Sequence, residues 1–501
     1  MIEDELKLAV HGLFTLPELT DDEHGLRVEP DGTRVLRATY WDTADLRLAR
    51  NGVTLRHRTG EDGPPWQLKL PVTGRGEGVR EELAERGRPE EVPAALRSLV
   101  TGWARTAPLA PVATLRTSRA VHRVVDGDGK ELAELVDDTV SVVEGRRVVA
   151  RFRELEVERR AADDGVMTWL RDRLVDAGAV EGEFTPKVVR ALGPIAAHGT
   201  DLPSPERPGR KAPAGEVVAA SLADGVRRLI AHDAPVRRGA HDAVHQMRVA
   251  CRRLRSDLRT YGPLVDAEWA QGLRDELSWL ADVLGAARDL EVLRERIRDA
   301  AESDPLAPVD PGAVARIDVL LAGREDLALA AVAEALDQPR YAALLERVVE
   351  AARHPALTPL ASEPVDEALT PLVSAAWEKL ASKAAKLTPT KADHAWHKVR
   401  ILAKRARYAA EAAAPAIGKP AKRTGEAAAS VQDLLGRHQD AVVATDALLE
   451  IAEANPSEWR LVLTCGRLAE RERAEVREVR AAFGEVWRDA SAPKVTRWLR
   501  G

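Results

Sequence analysis

Hydrophobic and polar residues alternate along much of the first 195 positions of the chain. This two-residue period is typical of strands that bury one face. It occurs in the stretches 3–10, 53–58, 66–70, 132–136 and 152–157. Turn sequences such as Asn51-Gly52 separate these stretches, and two helical patterns, 89–99 and 165–177, interrupt them. Many short strands joined by tight turns predict an antiparallel sheet or barrel.

The rest of the chain has a different period. Between positions 196 and 212, prolines and glycines accumulate without hydrophobic periodicity, which predicts an exposed linker. Beyond the linker the hydrophobic residues follow the period of amphipathic helices. The predicted helices span 215–261, 269–301, 312–335, 339–353, 392–414, 425–454 and 457–488. We therefore predict two domains, 1–195 and 213–490, with the linker 196–212 between them.

Two motifs of the helical part occur twice, in the same order. The segment HQMR at His245 returns as HKVR at His397, an offset of 152 residues. The pair LG at 284–285 returns at 435–436, an offset of 151. A duplicated half of about 150 residues explains both offsets, and this length suffices for a four-helix bundle. We predict an all-α domain of two duplicated four-helix bundles.

Composition indicates the cellular compartment and the classes of partner to expect. The chain has 74 Lys and Arg against 80 Asp and Glu, a net charge of −6, so no overall basic field attracts nucleic acid. Cys251 and Cys465 are too few for a disulfide scaffold or a cysteine zinc site. No apolar run has the length of a membrane span, and the first residues lack a signal-peptide pattern. We expect a cytoplasmic protein with neither membrane nor nucleic acid as a partner.

Charged residues occupy one face of several predicted strands, because residues two apart on a strand share a face. The sets are Glu3, Glu5 and Lys7; Glu154, Glu156 and Glu158; Arg56 and Arg58; and, on a fourth strand, Lys69. A solvated sheet face explains any single set. Taken together, the carboxylates would repel one another on paired strands unless a divalent cation lay among them. The Arg and Lys side chains then suit a polyanion that also contacts the metal, such as a triphosphate.

These charged residues belong to a series of short motifs. The motifs are Glu3-Asp-Glu5-Leu-Lys7, Tyr40-Trp-Asp42-Thr43, Leu55-Arg56-His-Arg58, Trp66-Gln-Leu-Lys69, Arg80-Glu-Glu82, Arg116-x-x-Arg119, Asp137-Asp138, Glu154-x-Glu156-x-Glu158 and Lys187. In this order they resemble the CYTH superfamily, the triphosphate tunnel metalloenzymes, over residues 1–195. The resemblance implies an eight-stranded antiparallel β tunnel and a site that depends on Mg²⁺ or Mn²⁺. The predicted fold class is therefore α+β, with this tunnel followed by the all-α domain.

Charge assigns a role to each candidate residue. The predicted metal ligands are Glu3, Glu5, Glu154, Glu156 and Glu158. The predicted phosphate clamps are Lys7, Arg56, Arg58, Lys69, Arg116, Arg119 and Lys187. Asp137, Asp138 and Glu82 would orient the attacking water or the clamps, and Tyr40 either joins the site or packs in its strand. Such a site would hydrolyse inorganic triphosphate to diphosphate and phosphate, with the cations balancing the developing charge.

A basic stripe occurs twice in the helical part, at spacings that keep it on one side of a helix. The stripes are His245, Arg248, Arg252, Arg255 and Arg259, then His397, Arg400, Lys404, Arg407 and Glu411, with Arg253 and Arg405 adjacent. A solvated basic face is the simpler explanation. However, like charges four residues apart destabilise a helix, and the duplication reproduces His and Arg positions. We therefore predict an anion site.

These helical segments resemble the CHAD domain over residues 213–490. The motifs are HQMRVACRRLR, LGAARDLEVL, HKVRILAKRARYAAE and VQDLLGRHQDAV. The order of a CYTH domain followed by a CHAD domain is itself a known pairing. The resemblance implies that the basic residues bind inorganic polyphosphate on a surface between two four-helix bundles. One position departs from the repeat, because Gln439 stands where the first half has Arg288.

Three alternatives remain open. In the first alternative the tunnel substrate is thiamine triphosphate. In the second it is ATP, and the protein is an adenylyl cyclase; both require the site to recognise an organic group. The third alternative is a polyphosphate-binding protein without catalysis. In the leading hypothesis the tunnel is an inorganic triphosphatase, and the helical domain places it on polyphosphate granules in the cytoplasm.

Overall fold

The protein is described from a computed structural model. The structure describes residues 2–3, 5–21, 25–72, 80–181, 186–204 and 208–500, and for residues 2 and 3 it describes the backbone alone. The chain forms two compact units, Met1–Asp201 and Leu202–Gly501. The first unit is built on an antiparallel sheet, and the second is helical. The predicted domain limits at 195 and 213 stay predictions.

In its described part, the first unit has an eleven-stranded antiparallel sheet. The strands are β1 (Ile2–Glu3), β2 (Glu5–Val10), β3 (Thr20–Asp21), β4 (Leu26–Asp42), β5 (Thr54–Thr59), β6 (Trp66–Pro71), β7 (Arg80–Glu85), β8 (Ala110–Val125), β9 (Glu131–Glu144), β10 (Arg147–Arg159) and β11 (Val180–Glu181). Their order is β1-β7-β6-β5-β4-β8-β9-β10-β2-β11, with β3 beside β4. One chain segment carries both β1, which pairs with β7, and β2, which pairs with β10. This segment therefore closes the sheet into a barrel.

The strand count differs from the predicted eight. Strands β1, β3 and β11 have two residues each, and the other eight have six or more. Alternation predicted parts of β2, β5, β6, β9 and β10 but missed β4, β7 and β8. Strand β4 contains the turn-like sequence Pro30-Asp31-Gly32, yet it continues through it with a register shift against β8 between Pro30 and Thr33. A bulge accommodates proline in a strand, so the turn signal was misleading here.

The two faces of the barrel wall differ in polarity. Leu8 of β2 and Leu155 and Val157 of β10 are fully buried in one hydrophobic cluster with Leu170 and Leu174. The last two belong to α4, one of six helices in the described part of this unit. These are α1 (Arg47–Arg50), α2 (Ala94–Leu99), α3 (Thr101–Ala104), α4 (Asp164–Asp176), α5 (Lys187–Leu192) and α6 (Pro194–Ala197). Because faces alternate along a strand, the glutamates of β10 lie opposite this hydrophobic layer, on the inner face.

The beginning of the predicted linker 196–212 belongs to the barrel unit. Asp201 forms a buried ion pair with Arg105. Thr200 donates a hydrogen bond to Asn51 at 2.6 Å. These contacts hold the chain against the barrel up to the boundary at Asp201, while residues 197–200 are exposed.

The second unit consists of helices. They are α7 (Ala214–Ala231), α8 (Asp233–Arg237), α9 (Ala243–Thr260), α10 (Ala267–Glu302), α11 (Pro311–Asp337), α12 (Pro339–Arg353), α13 (Val365–Ala384), α14 (Asp393–Ile417), α15 (Lys419–Ala454), α16 (Trp459–Ala490) and α17 (Pro493–Thr496). Short 3₁₀ helices span Gly262–Leu264, Pro359–Ser362 and Arg497–Arg500. The predicted helix 215–261 is three helices. His232 separates α7 from α8, and the chain turns between α8 and α9 at Gly239 and Asp242, whose φ angles are 63° and 61°. Residues in this left-handed region end a helix.

Helices α9 and α14, which carry the two basic stripes, pack against each other. Helices α10 and α15 each have 36 residues. Parts of both pack with α11 and α16 in one hydrophobic cluster. The division into two duplicated four-helix bundles stays a prediction. None of the helices in the described ranges has the length and hydropathy needed to cross a bilayer.

Candidate functional site

Charged side chains from six strands and from helix α5 line a cavity of about 110 Å³ in the barrel. The lining residues are Glu5, Lys7, Tyr40, Thr54, Arg56, Arg58, Lys69, Arg80, Glu82, Arg119, Glu156, Glu158, Pro186, Lys187 and Val188. Seven of these described side chains are cationic and four are acidic, so the lining is net positive. Lys69 and Glu82 form an ion pair at 3.4 Å within it.

Glu156 is the centre of a buried ion network in this cavity. Its carboxylate contacts Lys7 Nζ at 2.8 Å, Arg119 Nη2 at 3.0 Å and Lys187 Nζ at 3.1 Å. Burial raises the pKa of Glu156, but the three cations outweigh it and hold the pKa well below the ordinary 4.5. The stability contributed by this carboxylate is therefore complete above pH 4.5 and is lost as the pH falls through its folded-state pKa.

Asp138 holds two of the same cations. It is fully buried and accepts hydrogen bonds from Arg119 Nε at 2.8 Å and Lys187 Nζ at 2.6 Å. Burial lowers the pKa of Lys187, but Glu156 and Asp138 raise it above its usual range. Burial also lowers the pKa of Arg119, but its hydrogen bonds to Asp138 raise the pKa above its usual range. Both side chains therefore stay cationic at the cavity wall.

Glu154 contacts a cation of the cavity wall without lining the cavity itself. This predicted metal ligand is buried and contacts Lys187 Nζ at 3.1 Å and Arg190 Nη1 at 2.7 Å, but it does not line the cavity. The Arg190 guanidinium stacks on Phe152, 4.1 Å from the ring centroid. Sequence reasoning missed Arg190, although its three-residue spacing from Lys187 on a helix places both on one side.

Arginines of β5 form another part of the wall. Arg56 donates hydrogen bonds to Gln67 at 2.8 Å and to the Tyr40 hydroxyl at 3.4 Å. Burial raises the pKa of Tyr40, but the neighbouring Arg56 lowers it by more. The pKa therefore lies below the ordinary 10.0. Burial and the neighbouring Arg56 lower the pKa of Arg58 to about 10, although Arg58 pairs with Glu61. Tyr40 thus both packs in its strand and lines the cavity.

Two predicted site residues lie on the other strand face. Arg116 is exposed, and its three-residue spacing from Arg119 puts the two on opposite faces of β8. Asp137 pairs with Arg153, whose Nε lies 2.8 Å from its carboxylate. Asp137 and Asp138 are consecutive in β9, so their side chains also point to opposite faces. The structure does not bring Arg116 or Asp137 to the cavity.

The carboxylates of the cavity fit a hard divalent cation. Glu5 and Glu158 are directly opposite on the paired strands β2 and β10, and both line the cavity. Lys7 Nζ lies 3.0 Å from Glu5, and Arg160 Nη1 lies 3.0 Å from Glu158. Carboxylate oxygens are suitable ligands for Mg²⁺ and Mn²⁺. The side chain of the predicted ligand Glu3 lies outside the described residues. The described side chains alone form no metal-binding group of three or more His, Cys, Asp or Glu.

The contacts of Asp138 lead to a first prediction. Asp138→Asn is expected to lower the stability of the barrel unit by about 3–5 kcal/mol, because two buried cations lose their shared carboxylate. Calorimetric unfolding of the full chain measures this change. The matched control is Asp137→Asn, whose pair with Arg153 is partly exposed and should contribute less. Equal losses in the two variants would contradict the role given to Asp138.

In the helical unit, most residues of the two basic stripes line two neighbouring cavities. A cavity of about 440 Å³ is lined by His245, Arg248, Arg252, Arg288, Asp289, Val292, Leu293, Arg296, His397, Arg400, Lys404, Gln439, Asp440 and Val443. A cavity of about 250 Å³ is lined by Arg252, Arg255, Ser256, Arg259, Ile401, Lys404, Arg405 and Tyr408. Arg252 and Lys404 line both, so the two cavities are neighbours. We call them together the basic groove.

Most cations of the basic groove lack an acidic partner. Within the described ranges, no ion pair with a carboxylate is formed by Arg252, Arg255, Arg259, Arg400, Lys404 or Arg405. Arg248 does pair with Asp289 at 2.8 Å. Burial lowers the pKa of Arg259, and the neighbouring Arg405 lowers it further. Uncompensated cations in a concave surface attract anions.

Two of the eleven predicted polyphosphate-binding residues lie outside the basic groove. Arg253 and Arg407 line a separate cavity of about 690 Å³. Both pair there with Glu411, at 3.0 and 2.7 Å. The groove instead contains Tyr408, whose hydroxyl accepts a hydrogen bond from Arg252 at 2.9 Å.

Helix α10 adds cations that the stripes did not predict. Arg288 and Arg296 line the groove, and their spacing of eight residues places them on one side of the helix. That spacing was the available signal for Arg296. Gln439, which stands where the first half of the repeat has Arg288, contacts a groove residue: its Oε1 lies 2.5 Å from His397 Nδ1.

Comparisons with known proteins identify a domain family for each part of the chain. Residues 1–186 match the CYTH domain and residues 220–449 match the CHAD domain. Uncharacterised proteins from two strains of Mycobacterium tuberculosis are each 34% identical over 483 residues, covering 89% of this chain and 88% of the relative. Among solved structures, PptA from Streptomyces chartreusis has 26% identity, a TM-score of 0.47 and coverage of 55% of this chain and 100% of its own. The CHAD domain from the plant Ricinus communis has 26% identity, a TM-score of 0.42 and coverage of 59% and 95%.

Proposed function

We propose that this chain, which belongs to the family of proteins that join a CYTH domain to a CHAD domain, is an inorganic triphosphatase that also binds inorganic polyphosphate. Members of the CYTH family are tunnel enzymes, triphosphatases or cyclases, that bind triphosphate substrates and generally use divalent metal ions. CHAD domains are linked to polyphosphate. For this chain we propose Mg²⁺ or Mn²⁺ as the metal.

The lining of the barrel cavity supports inorganic triphosphate as the substrate. Among the described lining residues, only Pro186 and Val188 are aliphatic and only Tyr40 is aromatic. Sites for organic ligands are lined mainly by apolar and aromatic side chains. A nucleotide base or a thiamine ring would find little such surface here, whereas a chain of three phosphates presents only charged and polar oxygens. This observation favours inorganic triphosphate over ATP and thiamine triphosphate.

The cations of the cavity are proposed to bind and orient the phosphates. Lys7, Arg119 and Lys187 are already held by buried carboxylates, so little reorganisation accompanies binding. Arg56 and Arg58 add guanidinium groups that can bind phosphate oxygens in pairs. In the proposed reaction, water attacks the terminal phosphorus, the bond between that phosphorus and the bridging oxygen breaks, and diphosphate leaves.

Glu5 and Glu158 are the proposed metal ligands in the described part of the cavity, with Glu3 as a further ligand. When bound, the divalent cation neutralises phosphate charge and lowers the pKa of a coordinated water. Glu154 and Glu156 contact the clamp lysines and arginines, and their predicted role as metal ligands stays a prediction. Lys69, Arg80 and Glu82 complete the wall.

A substrate comparison tests the barrel assignment. We expect kcat/KM for inorganic triphosphate to exceed the values for ATP and thiamine triphosphate by at least about tenfold, because only the organic substrates must place a ring against a charged wall. Initial rates of phosphate release with Mg²⁺ and with Mn²⁺ measure these values. A preference for ATP with formation of cyclic AMP, or for thiamine triphosphate, would replace the assignment with the corresponding activity.

The basic groove is proposed to bind inorganic polyphosphate, because nine predicted residues meet there and most have no carboxylate partner. This binding would place the enzyme on polyphosphate granules in the cytoplasm. Nucleic acid is a weaker candidate, since Tyr408 is the only aromatic residue among the described lining residues on which a base could stack.

A further inference from the structure

Lys404 lines both of the neighbouring cavities that form the basic groove. It is half-buried on α14, one turn after Arg400 and close to Arg248 and Arg252 of α9. Its position combines two features that disfavour an ammonium group, removal from water and like charge on several sides. Arginine keeps its proton in such surroundings, but lysine can lose it.

The charged and titratable groups that share the first cavity with Lys404 come from four helices. They are His245, Arg248 and Arg252 of α9; Arg288, Asp289 and Arg296 of α10; His397 and Arg400 of α14; and Asp440 of α15. The second cavity adds Arg255, Arg259, Arg405 and Tyr408. Of the two carboxylates, Asp289 already pairs with Arg248. Arg288 and Arg296 also have carboxylate partners, Glu291 and Glu472. The positive charge that acts on Lys404 therefore comes mainly from Arg400 and Arg252.

These surroundings determine the charge of Lys404 in the free protein. Burial, followed by Arg400, Arg252 and Arg248, lowers the pKa of Lys404 from 10.5 to about 7. Asp440 opposes this effect but does not balance it. The side chain is therefore largely neutral above pH 7. Burial and the nearby Arg288 keep the pKa of His245 below its ordinary 6.5, so this histidine titrates in a more acidic range.

We propose that binding of a phosphate chain in the basic groove is coupled to uptake of a proton by Lys404, so that the chain binds more weakly as the pH rises above neutrality. This inference rests on the proposed polyphosphate-binding function. An anion between the guanidinium groups supplies the negative charge that the empty surroundings lack, and it favours the ammonium form. The proton comes from solvent and is bound by the lysine amine.

The sign of the pH dependence follows from this coupling. Well below pH 7, Lys404 is protonated in both the free and the bound protein, so it adds little pH dependence. Above pH 7, binding must protonate a neutral amine. The affinity then falls by up to about tenfold for each pH unit, until the pKa of the bound state is reached.

Calorimetric titration of the full chain with long-chain polyphosphate tests the coupling. Long chains have few titrating end groups, so the ligand contributes little pH dependence of its own. Titrations at about pH 6.5, 7.5 and 8.5 and constant ionic strength give the affinity, and two buffers that differ in ionisation enthalpy give the protons taken up. We expect about one proton per site at pH 8.5 and a loss of affinity of about tenfold between pH 7.5 and 8.5.

Three variants separate Lys404 from the rest of the groove. Lys404→Arg keeps its charge throughout, so its affinity should change less than about twofold between pH 7.5 and 8.5. Lys404→Met should bind at pH 6.5 more weakly than the natural chain and also lose the proton uptake. The control Lys398→Met removes an exposed charge from the same helix outside the groove and should keep the pH dependence.

The outcomes distinguish this inference from the function on which it rests. Failure of the natural chain to bind polyphosphate at pH 6.5 would overturn the proposed binding function. Binding with the same pH dependence and proton uptake in Lys404→Arg as in the natural chain would overturn the coupling while leaving the binding function in place.

Discussion

Glu158→Gln is expected to lower kcat/KM for triphosphate hydrolysis by about 10²- to 10³-fold, the usual consequence of losing one electrostatic contact in a charged active site. Glu158 and Glu5 are cross-strand partners at the cavity wall, so each is expected to supply metal-binding oxygen atoms. Glu5→Gln should have a similar effect. Initial rates over a range of Mn²⁺ concentrations measure the loss and show whether excess metal restores part of it.

Protein stability provides a second readout that does not depend on turnover. The exposed ion pair between Glu158 and Arg160, at 3.0 Å, contributes at most about 1 kcal/mol. Removing one of two facing carboxylates should therefore leave the Tm without metal nearly unchanged. Saturating Mn²⁺ should raise the Tm of the natural chain but not that of the variant.

The matched control for Glu158→Gln is Glu29→Gln, which removes an exposed carboxylate of β4 that pairs with Arg123. This variant should keep both hydrolysis and the metal-dependent rise in Tm. If Glu158→Gln and Glu5→Gln retained full activity and metal-dependent stabilisation, these carboxylates would not be the metal ligands.

Reversing two charges of the basic groove is expected to abolish retention on a polyphosphate resin. Each lost charge-assisted hydrogen bond costs about 1.5–3 kcal/mol. The double variant Arg252→Glu and Lys404→Glu should therefore weaken binding by roughly 10²- to 10⁴-fold, before added repulsion is counted. Both residues line both cavities, so the change affects the groove along its length.

Equal charge reversal outside the groove controls for the change in net charge. Lys383→Glu with Lys398→Glu alters two exposed lysines of α13 and α14 by the same amount. This control should be retained on the resin at moderate salt. Unchanged retention of Arg252→Glu with Lys404→Glu, or equal loss in the control, would contradict the assignment of the groove.

Strand periodicity predicted the polarity of the barrel wall. Alternation correctly separated Leu155 and Val157, which are buried against a helix, from Glu156, which lines the cavity. The same rule puts Arg116 and Asp137 on the other face, but the motif resemblance assigned them to the site together with their neighbours. A motif identifies a segment, whereas the pleat decides which of its side chains reach the interior.

Ion pairing inside the barrel was not predictable from spacing. The glutamates of β10 look alike in sequence, yet Glu156 binds three cations, whereas Glu158 faces Glu5. Which partner each carboxylate meets depends on the register of β10 with its neighbours and on the position of Lys187 in a helix beyond the sheet. Sequence spacing alone does not determine either relation.

Helical spacing predicted most of the basic groove. It correctly placed Arg248 and Arg252 together, but the rotation of α9 and α14 against each other decides where each stripe ends. Arg407 forms an ion pair with Glu411 outside the groove, whereas Tyr408 lines the groove. The lowered pKa of Lys404 also depends on helices that are distant in sequence, so no local sequence pattern predicts it.

The central claim is that the barrel hydrolyses inorganic triphosphate with a divalent metal. The most direct test is phosphate release from inorganic triphosphate by the purified full chain, with Mg²⁺, with Mn²⁺ and with EDTA. We predict that each metal supports release of one phosphate and one diphosphate per triphosphate and that EDTA stops the reaction. No release with either metal, or equal release in EDTA, would contradict the account.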